Sequence, residues 1–276
     1  MLTEQAIRLP NGVTLRYVEQ GPAGAVPIIL LHGFPDSWRS YETVIAHLPH
    51  SIRVIALSQR GFGKSDKPAI GYHPSDLAAD LAEFMRLRGI PEAIVAGHSM
   101  GGLVAQRFAL DFPERVAGLV LIGTFNAQAD NAELREMLAS LEAMEDPVDA
   151  GLIQAFQVST LAQPVPEAFF ATILAESARV PVHVWRAVMK AILAYDDFAE
   201  LPKIVAPTIL YWGERDGFST HAQRQEIARA IAGAELRVYA GAGHSLQWEE
   251  PKRFASDLVD FMNSIGRRRL SSPARA

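Results

Sequence analysis

Short, wholly apolar runs alternate with segments of helical period through the first half of the chain. Val26-Pro27-Ile28-Ile29-Leu30-Leu31, Val54-Ile55-Ala56-Leu57, Ile94-Val95-Ala96 and Leu119-Val120-Leu121-Ile122 carry no charge. Runs of this kind fit strands covered on both faces, as in a parallel sheet. Between them, Ser75 to Arg88 places Leu77, Leu81, Phe84 and Met85 on one helical face, with a cap at Pro74-Ser75 and a stop at Gly89. Strands alternating with helices imply βα units joined by right-handed crossovers. The stretch Ala6 to Tyr17 differs: residues alternate about Asn11-Gly12, which predicts a hairpin and an antiparallel edge.

From about Asn126 to Glu200 no strand-like run occurs. Ala132–Ala143 and Val182–Leu193 have helical period, and prolines at 147, 164, 166 and 181 punctuate the interval, which reads as a helical insertion. Strand–helix alternation then resumes with Thr208–Trp212, a helix near Ala222–Ala232, Leu236–Tyr239 and a last helix over Pro251–Met262. No internal repeat interrupts this plan.

The chain has 276 residues, 49% hydrophobic and 21% charged, which suits one large domain with an insertion. Its 26 basic and 31 acidic residues leave a formal charge of −5, so no basic field exists to hold nucleic acid. The run Arg267-Arg268-Arg269 falls in a basic tail, 266–276, expected to be disordered. With no cysteine, disulfides, thiolate nucleophiles and cysteine-based zinc or iron–sulfur sites are excluded. Neither a metal site nor a cofactor is expected. The first residues, Met1-Leu2-Thr3-Glu4-Gln5, lack a basic segment followed by an apolar one, and no apolar run reaches the roughly 20 residues that span a bilayer. The expectation is a cytoplasmic protein without membrane contact, monomeric or a homodimer.

One stretch carries chemistry by its context. Gly97-His98-Ser99-Met100-Gly101 follows the apolar run ending at Ala96 and opens a helical segment from Gly102. This is G-x-S-x-G between strand and helix, where the glycines allow a sharp turn and the serine hydroxyl stands above free helix N–H groups. Taken alone, the pattern also fits a glycine-rich turn with an incidental serine. A serine needs a base, an acid to orient that base, and donors for the oxyanion. His244, in the loop Ala240-Gly241-Ala242-Gly243-His244 after a strand, projects at the sheet's carboxyl edge and is the base candidate. The turn Gly213-Glu214-Arg215-Asp216-Gly217 follows another strand and offers Asp216, with Glu214 as competitor. The order Ser99, Asp216, His244 matches one class of triad. Oxyanion donors are expected from the Met100 N–H and from the loop His32-Gly33-Phe34-Pro35, where Pro35 has no N–H and Phe34 is the donor.

His32-Gly33-Phe34-Pro35, Gln59-Arg60-Gly61-Phe62-Gly63-Lys64-Ser65-Asp66-Lys67-Pro68, Gly97-His98-Ser99-Met100-Gly101-Gly102, Gly213-Glu214-Arg215-Asp216 and Gly241-Ala242-Gly243-His244 together resemble the α/β-hydrolase superfamily, in its serine-nucleophile, esterase-like branch. The resemblance implies an α/β fold with an eight-stranded, mostly parallel sheet flanked by helices, and a helical cap inserted between strands six and seven. Core residues would then be 1–125 and 201–265, and the cap 126–200. Such proteins usually carry aspartate where this chain has Ser58, a position that supports loops and does no chemistry.

Two decoys fall away. Ser58 to Ser65 approaches a P-loop pattern, but Pro68 and Gly71 follow where a helix must run. Glu249-Glu250 precede Pro251 and suit the charge preference of a helix start. Relatives that open epoxides or carbon–halogen bonds use aspartate as nucleophile, and a serine there disfavours that chemistry. What the resemblance implies is hydrolysis of a carboxylic ester or lactone of a small, largely apolar molecule through an acyl-enzyme. C–C bond hydrolysis and cofactor-free perhydrolysis or haloperoxidation use the same triad, and a ligand receptor of the same fold stays open. Phe156, Phe169, Phe170, Trp185 and Tyr195 give the cap an aromatic character, with Phe125 just before it; Phe125 and Trp185 are the expected substrate contacts.

Overall fold

The computed structural model describes residues 2–271. Eight strands form one sheet in the order β1-β2-β4-β3-β5-β6-β7-β8: β1 Gln5–Arg8, β2 Thr14–Gln20, β3 Ile28–Leu31, β4 Val54–Ser58, β5 Ala93–His98, β6 Val116–Ile122, β7 Thr208–Gly213 and β8 Glu235–Tyr239. The first two are antiparallel, turning at Gly12 with φ +87°; every pairing from β4 to β8 is parallel. Each charge-free run is a strand, and β3 to β7 are buried throughout. Helices cover both faces because each sheet face is apolar: one cluster contains Leu31, Leu57, Val95 and Leu119, the other Leu30, Ala56, Ala96 and Val120.

The helices are α1 Glu42–Ile45, α2 Pro74–Leu87, α3 Met100–Asp111, α4 Ala132–Glu142, α5 Ala150–Ser159, α6 Glu167–Ser177, α7 Val182–Ala194, α8 His221–Ala230, α9 Leu246–Glu249 and α10 Pro251–Ser271. Helix α2 is capped by His73, one residue earlier than the sequence suggests, and Gly89 follows its end at φ +61°. α4 to α7 lie between β6 and β7 and make up the insertion, in which α5 and α6 join the two expected helices. The final helix does not stop at Met262 but runs to Ser271, into the segment expected as a disordered basic tail; arginine and leucine are good helix formers. Residues 272–276 of that expectation lie outside the described residues. No helix among the described residues is long and apolar enough to cross a membrane.

Cap and core meet at a buried amide–carboxyl contact. Gln157 Nε2, on α5, donates to Asp36 Oδ1 at 2.9 Å and to Ser177 Oγ of α6 at 2.9 Å. Asp36 follows the loop after β3, and burial there pushes its carboxyl up to about 7. Ser58 serves the same loop region: its Oγ accepts from the Trp38 N–H at 3.2 Å and its carbonyl from Ser65 Oγ at 2.6 Å.

A carboxyl raised from the unfolded value of about 3.9 keeps its proton longer in the folded chain, so stability falls as pH climbs from about 4 to about 7 and levels off above. Asp36→Asn cannot ionise. It should flatten that slope and raise the melting temperature at about pH 8 relative to the parent. Melting curves across the pH range check this; an unchanged slope in the variant would assign the titration to another group.

Candidate active site

The turn after β5 is tightly packed. Ser99 sits at φ +53° and ψ −119°, the one non-glycine residue with positive φ among those described. Three glycines make the turn possible. A Cβ on Gly97 would lie 2.1 Å from the Gly101 carbonyl, one on Gly101 2.4 Å from that of Leu31, and one on Gly102 1.6 Å from Thr124 Oγ1. The Ser99 N–H donates to the Ile122 carbonyl at 2.8 Å, fixing the turn to the end of β6. Met100 is the first residue of α3, so its N–H has no acceptor within the helix.

The loop after β3 closes on this turn. Gly33 leaves no room for a side chain, because a Cβ there would lie 2.7 Å from His98 Nδ1 and 3.2 Å from Ser99 Cβ. Phe34 is the next residue of this loop. His32 anchors the loop: its Nδ1 is 2.8 Å from the Gly33 carbonyl, its Nε2 accepts from the Gln59 N–H at 3.1 Å, and Gln59 Nε2 returns to the His32 carbonyl at 2.9 Å. Burial pulls this imidazole down to about 4, which keeps it neutral and able to accept.

Asp216 and His244 arrive from β7 and β8. Asp216 Oδ2 lies 3.0 Å from His244 Nδ1, with both side chains buried. The ring N–H is not aligned on the carboxylate, and neither atom has another partner. Resting enzymes often hold such pairs loosely and tighten them on substrate. Asp216 Oδ1 is occupied by the Phe218 N–H at 2.8 Å. Glu214, the competitor, instead accepts from the Gly241 N–H at 2.8 Å on the exposed side of the turn. Arg224, reaching back from α8, spends its guanidinium on three carbonyls of this turn: Gly213 at 3.0 Å, Asp216 at 2.6 Å and Ser219 at 2.8 Å.

His244 is held on several sides. Its carbonyl lies 3.1 Å from His98 Nε2, and the two rings are 4.8 Å apart. Burial and the neighbouring His244 drive His98 well below the ordinary imidazole range, so His98 is neutral and its Nε2–H donates. Phe218 lies 4.3 Å from the His244 ring. Gly123, at φ +52°, leaves 3.0 Å between an added Cβ and His244 Nδ1.

An aromatic wall completes the site. Phe34 meets Trp185 at 4.6 Å and Phe156 at 5.6 Å, and Phe156 meets Phe218 at 6.0 Å. The wall therefore runs from the β3 loop, through the cap, to His244. Trp185 and Phe125, the two expected substrate contacts, are both buried in the large core cluster, Trp185 against Phe34 and Phe156. Phe169 and Tyr195 turn elsewhere, towards Trp248 at 5.9 Å and His73 at 5.2 Å. Glu249 departs from its expected place as helix-start charge. Its Oε1 accepts from Ala162 and Gln163 of the cap at 2.6 and 2.9 Å, and its Oε2 from the Gly243 N–H at 2.7 Å. The sequence gives no sign of this role, nor of those of Phe218, Arg224 and Gly123. Lys64, in the P-loop-like stretch, pairs with Glu4 at 3.1 Å. No group of three metal-ligating side chains occurs among the described residues.

A family model described as the alpha/beta hydrolase fold matches residues 26–251. The chain belongs to that family. It is 29% identical to a 2-hydroxy-6-oxononadienedioate/2-hydroxy-6-oxononatrienedioate hydrolase of Paraburkholderia phymatum, over 92% of this chain and 93% of the relative. Among solved structures, an esterase from Rhodococcus sp. ECU1013 superposes with a TM-score of 0.82 at 26% identity, covering 95% of this chain and 99% of that one. An esterase from Exiguobacterium antarcticum superposes with a TM-score of 0.86 at 24% identity, covering 95% and 100%, a likeness of fold. Fold and homology together make this family member a hydrolytic enzyme that acts on a small molecule.

Gly123→Ala should displace the His244 ring. The left-handed backbone adds a strain of about 1 to 2 kcal/mol, and if the His244 imidazole takes part in the reaction its displacement should lower kcat/KM about 10²-fold. Steady-state kinetics beside a melting curve separate the two effects; full activity would show that Gly123 does not set the ring's position.

Proposed function

We propose that this hydrolase cleaves carboxylic esters, lactones included, of small apolar molecules, with Ser99 as nucleophile, His244 as base and Asp216 as its partner. The observation that carries the reading is the buried Asp216–His244 pair at 3.0 Å, whose imidazole lies 4.8 Å from the ring of His98, the residue before a serine held in a strained turn. A serine hydroxyl becomes nucleophilic only when a base takes its proton as it attacks.

Ser99 Oγ attacks the ester carbonyl carbon while its proton passes to His244 Nε2. Negative charge moves to the carbonyl oxygen, where the N–H groups of Phe34 and Met100 meet it. Asp216, facing Nδ1, stabilises the imidazolium and fixes its tautomer. The tetrahedral species collapses, the C–O bond breaks, and the leaving alcohol takes the proton from His244. Water then attacks the acyl carbon, gives its proton to His244, and Ser99 departs with that proton restored.

The aromatic wall supports a preference for apolar acyl groups. Phe34, Phe156, Trp185 and Phe218 supply apolar surface and no charge. The Paraburkholderia relative is named for a dioate, an acid with two carboxylates, and this wall contains no cation to meet one. Hydrolysis of a C–C bond would use the same three residues and is the competing outcome of the test.

A panel of p-nitrophenyl esters, lactones and vinylogous diketo acids, run beside labelling with a fluorophosphonate, tests the assignment. Turnover of short apolar esters with the label on Ser99 is the expected result. Labelling without turnover of any ester, or a preference for the diketo acids, would displace it. Asp216→Asn should keep the fold and lower kcat by about 10³ to 10⁴, the scale on which the equivalent change acts in serine proteases.

A further inference from the structure

The loop that carries His244 is built jointly with the cap. Gly243, the residue before the histidine, has its N–H on Glu249 Oε2 at 2.7 Å. The other oxygen of the same carboxylate takes two cap N–H groups, Ala162 at 2.6 Å and Gln163 at 2.9 Å. On the far side of the histidine, the Ser245 N–H donates to the Thr160 carbonyl at 3.0 Å, and Ser245 Oγ to Thr160 Oγ1 at 3.0 Å. The fit is close: a Cβ at Gly243 would stand 2.6 Å from Ala162 N and 2.8 Å from the Thr160 carbonyl. The ring side is covered by Phe218 of the core, against which Phe156 of the cap packs in turn. Residues 160–163 thus grip the chain immediately before and after His244.

We infer that Glu249 is a positioning residue that ties the seating of the cap to the placement of His244, so that a displaced cap withdraws the base from Ser99. The inference rests on the triad reading above and adds to it what the cap does besides line the site. The physics lies in the carboxylate. All three of its partners are N–H donors, and an ionised carboxylate offers acceptors on both oxygens. A carboxamide of the same shape has one acceptor oxygen and one NH2. Turned either way, it sets a donor against a donor, facing either the cap or Gly243. Glu249→Gln therefore cuts the link on one side without changing its size.

Three measurements test this on the full chain. First, Glu249→Gln should lower kcat for a p-nitrophenyl ester by about 10- to 100-fold with KM within about threefold, since base misplacement acts on the transition state. Activity is expressed per Ser99 titrated by fluorophosphonate, so misfolded molecules are not counted. Second, Thr160→Val, which removes the hydroxyl contact from the cap side alone, should act in the same direction and less strongly. Glu250→Gln should leave kcat unchanged, because that neighbour's carboxylate is held by Arg253 of α10 at 3.1 Å. Third, hydrogen exchange should show the amides of residues 162–163 and 243 losing protection together in Glu249→Gln. A parent-like kcat per titrated site, a loss confined to KM, or loosening of 162–163 with 243 still protected would each overturn the inference. Failure of the parent itself to label and turn over esters would instead overturn the triad reading, and the exchange experiment reads the link independently of it.

Discussion

The backbone at Ser99 is the constraint on which the molecule is organised. A side-chain-bearing residue at φ +53° is costly, and it persists only where the surroundings leave no alternative. Here the surroundings are the main chain of the first turn of α3, the carbonyls at the end of β3 and the side chain of Thr124, all close enough to exclude any Cβ at Gly97, Gly101 or Gly102. The same crowding pulls the strand ends together. Ile122 receives the Ser99 N–H, Gly33 touches the serine, and His98 reaches the carbonyl of His244. Relaxing the turn would loosen every loop that meets at the carboxyl edge of the sheet.

Around that turn, imidazoles are divided by burial into different tasks. His32 and His98 are neutral because their surroundings penalise charge, and each holds backbone in place through its ring nitrogens. His244 alone faces a carboxylate, Asp216.

How much could be read from the chain depended on the range of the contacts involved. β3 to β7 announce themselves as uninterrupted apolar runs because both faces of a parallel sheet are covered, a property local to each segment. That Ser99, Asp216 and His244 follow the ends of β5, β7 and β8 was legible because each stands in a short pattern after a strand-like run. Helices α5 and α6 escaped notice: Ala150–Ser159 and Glu167–Ser177 carry apolar residues on more than one side although each buries one face, Ile153, Phe156 and Gln157 in the first and Phe169, Ile173 and Ser177 in the second, so no single apolar stripe stands out. Glu249 could not be read at all. Its partner Ala162 is 87 residues away, and beside Pro251 a glutamate has an ordinary local explanation. Phe218 and Arg224 are hidden for the same reason, since nothing near them in sequence marks the ring and the carbonyls they meet. The extension of α10 past Met262 reflects helix propensity in a basic stretch that charge alone made look unstructured.

Arg224 has a consequence for how such a site can change over time. The turn from Gly213 to Ser219 owes its shape to a guanidinium anchored on carbonyls, and carbonyls are common to every residue type. Phe218, mounted on that turn, faces the aromatic wall with its side chain while contributing only its N–H to Asp216. Position 218 can therefore exchange one ring or aliphatic group for another without disturbing the acid beside it. The same ring lies 4.3 Å from that of His244, so a change of side chain there alters the apolar wall and the packing of the imidazole together.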